Sequence, residues 1–254
     1  MMPDHLHVIL YVTRPMDVSI KMVVRGLWQG AKKHGREYTA SVSPHSMRDN
    51  ERSSADPIFT EMPFMRPMSH KGQLQTMIRY VQMNPERLAT KRLMPEYFRV
   101  QEGIEIAGRM YCGVGNAELL QRATYMPVHV RRTMVDEAEH GDNKRLRDYM
   151  NGCVLAAREG AVMVSPFISE HEQAVMEVLL KEGLPFIYIA DNGFRDYYKP
   201  QDSLFDAVAR KQVLILSPWE YDPHKNHVSR AECVAMNQMA EEICTSFINP
   251  ESDS

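Results

Sequence analysis

Three groups of residues in the 254-residue chain have types and spacings that could do chemistry. The first is His5-Leu6-His7 in the opening stretch MPDHLHVIL. In a strand, residues i and i+2 point to one face, so two imidazoles there could hold a divalent ion if a third ligand came from elsewhere. The alternative is a histidine pair with no ligand. The second group is Tyr80 and Asn84 in MIRYVQMNP, four apart and so on one face of a helix. The third lies far along the chain. Asp191-Asn192-Gly193 follows an apolar run at what reads as the carboxyl end of a strand, where open α/β sheets bind ligands. Ser229 and Glu232 have capping-box spacing, which puts Arg230 in the first turn of a helix whose N-terminus suits phosphate. A turn glycine and a plain helix start would account for the same residues.

The elements that must position these groups follow from periodicity. Residues 5–13 read as a buried strand. Residues 17–36 carry Ile20, Val23, Val24, Leu27, Trp28 and Ala31 at helical spacing. Residues 41–57 are polar and rich in Ser and Pro, which predicts a loop. A helix is expected from about Lys71 to Asn84, ended by Pro85, with a short helix and then a strand pair (FRVQEG, IEIAGRM) turning at Glu102-Gly103. Beyond residue 127, short apolar runs alternate with helical stretches. That pattern predicts βαβ units and a parallel sheet, closed by a helix from about Arg230 to Cys244.

Composition narrows the class. The chain has 44% hydrophobic and 25% charged residues, ordinary for a folded globular protein. No apolar run of membrane-spanning length and no secretory signal pattern is visible, and the four cysteines are scattered. A cytoplasmic protein with reduced thiols and no membrane partner is the expectation. Residues 1–110 hold 16 Lys and Arg against 11 Asp and Glu, while the remainder holds 14 against 22. A basic first part beside an acidic second part hints at a nucleic-acid face on the first. Arg25, Lys32, Lys33, Arg36 and Arg79 are its candidate phosphate contacts, with a solvated surface as the alternative.

MPDHLHVIL, a basic amphipathic helix and IRYVQMNPER, in that order, resemble the HUH-type single-tyrosine transposases, particularly the branch associated with repetitive extragenic palindromes. The resemblance covers roughly residues 2–95. It implies an α+β ferredoxin-like domain over residues 1–110. Because a strand and a helix precede the histidine motif in that family, the domain is expected to be truncated at its N-terminal side. It implies that His5, His7 and Asn84 hold Mg²⁺ or Mn²⁺. It also implies that Tyr80 attacks hairpin-containing single-stranded DNA to give a 5′-phosphotyrosine, as in a DNA endonuclease and strand transferase, and that the protein is a homodimer.

The stretch from VMVSPFISEHEQ through DNGF, YYKP and LILSP to HVSRAEC resembles the Rossmann-like core of DNA-processing protein A (DprA/Smf) and, more broadly, the SLOG superfamily. That implies an α/β domain over residues 111–254 with a DNA or nucleotide ligand near Asp191, Asn192, Gly193, Ser229 and Arg230. One departure is plain. The family has glycines after the strand-ending serine, where this chain has Pro166-Phe167-Ile168, so a backbone phosphate cradle is not expected there. Two functions are therefore expected as alternatives: a metal-dependent transposase-like enzyme, or a DNA- or nucleotide-binding protein without catalysis.

Overall fold

The computed structural model describes residues 8–42, 63–195 and 198–247, with only the backbone of Arg36 and of residues 38–42. The chain divides into two compact units, Met1–Pro85 and Glu86–Ser254. The division falls ahead of the expected boundary at residue 110, because residues 86–110 supply helical turns and an edge strand to the second unit.

In the first unit the described residues form helix α1 (Ile20–Val42) and the first part of α2 (Gln73–Leu93). They form no strand. His5 and His7 lie outside the described residues, as does most of the expected loop over residues 41–57. Residues 8–13, expected as a core strand, have no sheet partner, and Tyr11 is 78% exposed. Strand-forming residues need a neighbouring strand to satisfy the backbone, and the described part of this unit offers none. The expected ferredoxin-like sheet is therefore absent among the described residues. A second correction concerns Pro85. The helix does not stop at Asn84 but continues through the proline to Leu93, joining the two expected helices into one. Pro85 removes a single backbone donor, and the favourable helix formers after it carry the turn onward.

The second unit is a six-stranded sheet in the order β1-β2-β6-β5-β4-β3. Its strands are β1 (Gln101–Ile106), β2 (Arg109–Gly115), β3 (Tyr125–Pro127), β4 (Val162–Ser165), β5 (Phe186–Ile189) and β6 (Val213–Ser217). Strands β3 to β6 are parallel, as the alternating pattern predicts, and β2 joins β6 antiparallel. The β1–β2 hairpin turns at Ala107-Gly108, with φ of 52° and 72°, rather than at Glu102-Gly103. Two consecutive left-handed residues give the turn whose twist matches the flanking strands. Gly103, at φ 74°, instead lies where the register shifts between Gln101 and Ile104, as a bulge.

Successive residues of the central strands face opposite layers. Met163, Phe186, Val213 and Ile215 pack with Phe98 of α3 (Pro95–Phe98), Cys153 and Ala157 of α5 (Lys144–Arg158), Val175 and Leu179 of α6 (Glu170–Glu182), and Leu204, Phe205 and Val208 of α7 (Asp202–Ala209). Val162, Val164, Ile187, Ile189, Leu214 and Leu216 face the other way. They pack with Met236, Met239, Ala240 and Ile243 of α8 (Arg230–Ser246). A short helix α4 (Arg132–Glu139) closes a small satellite core through Val130, Met134 and Leu146. Burial on both faces explains why these strands read as continuous apolar runs rather than alternating ones. No helix among the described residues is long and apolar enough to cross a membrane. All four cysteines are free.

Gly115 leaves β2 at φ 117°, and a Cβ there would lie 2.2 Å from the carbonyl oxygen of Val213. Gly115→Ala is expected to cost about 2 kcal/mol or more, lowering the thermal midpoint by several degrees in a calorimetric scan.

Candidate functional site

Helices α5, α6 and α7 each return to the same side of the sheet, because β3, β4, β5 and β6 follow one another without a reversal. After β6 the chain crosses to the other side to form α8. The segment leaving β5 therefore turns toward one layer and the segment leaving β6 toward the opposite one. A crevice opens between two such diverging connections at the carboxyl ends of adjacent strands. The structure places a cleft of about 390 Å³ there, bordered by Asp191, Asn192, Trp219, Asp222, Lys225 and Glu232, with Glu220, His224, Asn226 and His227.

The two connections are fastened to each other. The Asn192 amide nitrogen donates to the Asp222 carbonyl at 2.8 Å, and its oxygen accepts from the backbone N–H groups of Asp222 at 2.9 Å and Gly193 at 2.8 Å. A Cβ on Gly193 would lie 2.4 Å from the backbone of Glu220 and Tyr221. The glycine in Asp191-Asn192-Gly193 is thus required by close approach of the second connection. The Lys225 ammonium, 13% exposed, donates to the Asp191 carbonyl and to Glu232 Oε1, the latter at 2.6 Å. It also sits 5.5 Å from the centre of the Trp219 ring. The expected capping box at α8 is present: the Ser229 hydroxyl accepts from the Glu232 N–H, and the Glu232 carboxylate takes the Ser229 N–H at 2.7 Å. Hydrogen bonds from Lys225, then from Ser229, hold the Glu232 carboxyl down at about 2. Arg230 is exposed beside them.

Of the five residues expected to form a ligand site in this half, Asp191 and Asn192 border the cleft, Gly193 and Ser229 bond residues that border it, and Arg230 is not among its lining; the charge of the cleft is not that of a phosphate site. Asp191, Glu220, Asp222 and Glu232 stand against Lys225 alone among lysines and arginines lining it. Lys225 is already engaged by one of them. The N-terminus of α8, expected as a phosphate seat, holds the chain's own Glu232. The same holds at α6. Glu172, 2% exposed, accepts from the N–H groups of Val130 at 2.9 Å, Ile168 at 3.0 Å and Ser169 at 3.1 Å. After β4, where a glycine cradle is missing, Phe167 takes a left-handed backbone at φ 47°. It turns its ring into the core against Phe186 and Tyr188. What the cleft offers a ligand is the Trp219 indole, the Asn226 side-chain amide and the carboxylates of Asp191, Glu220 and Asp222. These match the N–H and O–H groups of a nucleobase or sugar.

In the first unit Tyr80 and Asn84 do share one helix, α2, with Tyr80 half-buried and Asn84 3% exposed. The two metal-site histidines lie outside the described residues, and no group of three His, Cys, Asp or Glu residues capable of holding a metal occurs among those described. Asn84 supplies one amide oxygen, a donor type suited to Mg²⁺ or Mn²⁺, but its burial leaves little room for an ion with its waters. Arg25, Lys33 and Arg79 are exposed, Lys32 rests 5.5 Å from the Trp28 ring, and the Arg36 side chain is not described.

One cluster in the second unit escaped the sequence reading. Arg87, 4% exposed, bonds Asp202 at 2.6 Å and lies 5.2 Å from the Phe205 ring. Lys91, one turn on, lies 5.9 Å from the Phe98 ring. The i,i+4 spacing of Arg87 and Lys91 just ahead of Tyr97-Phe98 was its only local signal.

No family model matches the chain, and no curated protein matches it. Two solved structures are similar to it. One is DNA processing protein A from Helicobacter pylori, described for its single-stranded DNA binding mode. It is 18% identical over 59% of this chain and 67% of that one, with a TM-score of 0.41. The other is DprA from Streptococcus pneumoniae, 18% identical over 69% of this chain and 61% of that one, with a TM-score of 0.39.

Because the folded Glu232 carboxyl ionises below its unfolded value, its bonds stabilise the protein fully above about pH 4.5 and are lost as pH falls toward about 2. Glu232→Gln is expected to flatten the acid limb of a thermal-midpoint against pH profile between those values while leaving the neutral region lower but level.

Proposed function

We propose that the chain binds single-stranded DNA without cutting it, and that the cleft at the ends of β5 and β6 receives an unpaired base. The observation that carries this reading is the composition of the cleft. An indole, the Asn226 amide and carboxylate acceptors line the place where the two connections diverge, while the α6 and α8 N-termini hold the chain's own glutamates. A free nucleotide would need those termini for its phosphates. A base projecting from a strand does not, because its phosphates stay outside. Carboxylates accept from the amino groups of bases, and an aromatic wall tolerates any base face. The H. pylori protein's binding of single-stranded DNA is of the same class; the reading for this chain stands on its own cleft.

The transposase-like alternative has Tyr80 as nucleophile and Mg²⁺ or Mn²⁺ on His5, His7 and Asn84. A homodimer belongs with it. The two readings part on one measurement. Incubated with hairpin-containing single-stranded DNA and either metal, the protein is expected to give no denaturant-resistant adduct. Tyr80→Phe is expected to bind like the parent. An adduct that disappears in Tyr80→Phe would overturn the non-catalytic reading. In fluorescence anisotropy, Trp219→Ala is expected to weaken binding of a single-stranded oligonucleotide by about tenfold, with Trp219→Phe recovering most of it. Unchanged affinity in Trp219→Ala would remove the cleft from the interface.

A further inference from the structure

We infer that the cleft discriminates among bases, taking guanine first and thymine last, because the full charges its lining leaves for a ligand are carboxylates. This inference rests on the single-strand reading above and adds which base the strand presents.

Two observations and the chemistry of the bases carry it. First, the cleft's own fastening commits its one lysine. The Lys225 ammonium donates to the Asp191 carbonyl and to Glu232 Oε1. The Asn192 amide is committed as well, its nitrogen to the Asp222 carbonyl and its oxygen to the Asp222 and Gly193 N–H groups. A base carbonyl arriving here finds neutral donors, such as the exposed Asn226 amide, and no cation that is not already engaged with Glu232.

Second, the fastening is made by the backbone of the acidic residues and not by their carboxylates. Asp191 takes part through its carbonyl, and Asp222 through its carbonyl and its N–H. The Asp222 carboxylate accepts the N–H of His224 at 2.8 Å, a local turn that fixes its direction. Glu220, between them on the β6 connection, is exposed. Three carboxylates gathered beside a fourth, Glu232, repel one another, and a ligand that brings N–H donors relieves that repulsion.

The bases differ in what they bring. Guanine carries its N1–H and its amino group side by side, which matches the two oxygens of one carboxylate in a charge-assisted pair. Adenine and cytosine set one amino group beside a bare ring nitrogen, whose lone pair would face the second oxygen. Thymine has a single N–H between two carbonyls and no amino group. The Trp219 indole can stack on any of them, so it adds affinity without setting the order. A site whose polar groups go unpaired with the wrong ligand rejects that ligand strongly. The same carboxylates repel a phosphate, so the base enters edge first from a strand whose backbone stays outside.

The test is a binding titration with the full chain and 12-nucleotide oligothymidylates whose one central position is dG, dA, dC, dT or deoxyinosine. The dG strand is expected to bind about tenfold more tightly than the all-thymine strand, with dA and dC between them. Deoxyinosine keeps the ring and the N1–H but lacks the amino group, and is expected to lose most of that gain. Inosine binding as tightly as guanine would make the preference one of stacking and overturn the inference. Asp191→Asn, Glu220→Gln and Asp222→Asn preserve shape and the backbone fastening. At least one of them is expected to cut the dG-over-dT ratio to about twofold without lowering the thermal midpoint. A ratio unchanged in all three would also overturn the inference. If every strand binds alike and Trp219→Ala still weakens binding, the base preference falls and the cleft reading stands. If no strand binds, both fall together. Displacement of the dG strand by free dGMP at the same concentration as by the unlabelled strand would make a mononucleotide the ligand and overturn both.

Discussion

A sheet whose central strands are apolar on both sides must be covered on both sides, and that requirement organises the second unit. Every residue of β4, β5 and β6 is buried except half-buried Tyr188. Three consecutive crossovers place α5, α6 and α7 on one face. Without a further helix, Leu214, Leu216, Ile187, Ile189 and Val164 would remain in water, at roughly 1.5–3 kcal/mol each. Only a change of side after β6 brings α8 over them. The crevice between the β5 and β6 connections is a geometric by-product of that change, and the residues that fasten it are those that keep the diverging loops from splaying.

Much of this was legible in the chain. The apolar runs at 162, 186 and 213 and the intervening helical spacings gave the parallel sheet. Asp191-Asn192-Gly193 could be placed at the carboxyl end of a strand, and Ser229 with Glu232 at a helix start, each from its own local signal. What could not be read was the charge of the place. Lys225 belongs to a connection without periodicity, and only its three-dimensional approach to Glu232 and Trp219 shows that the cation is already engaged. Local signals also competed. Glu102-Gly103 is a good turn pair, yet Ala107-Gly108 takes the turn and leaves the earlier glycine as a bulge. Pro85 was read as a stop, although one missing N–H does not outweigh the helix formers that follow. Arg87 and Asp202 come from separate segments, so nothing in the linear order joins them.

The first unit shows the opposite balance. Its motifs are the sharper ones on the page, a histidine pair and a tyrosine–asparagine turn, but only the second of these lies among the described residues. The spacing of Tyr80 and Asn84 on α2 is what the sequence led one to expect. A shared helical face places two side chains together; it does not by itself supply a metal or a general base. The cleft of the second unit, by contrast, comes from residues of two connections that only the folded chain brings together.

Glu172 has a consequence of a different kind. By filling the α6 N-terminus with its own carboxylate, as Glu232 does at α8, the chain carries its counter-ions within itself. A small anion approaching either helix start meets a carboxylate of like charge already fixed beside it. At both helix starts the negative end of that exchange is built into the sequence rather than recruited from solution.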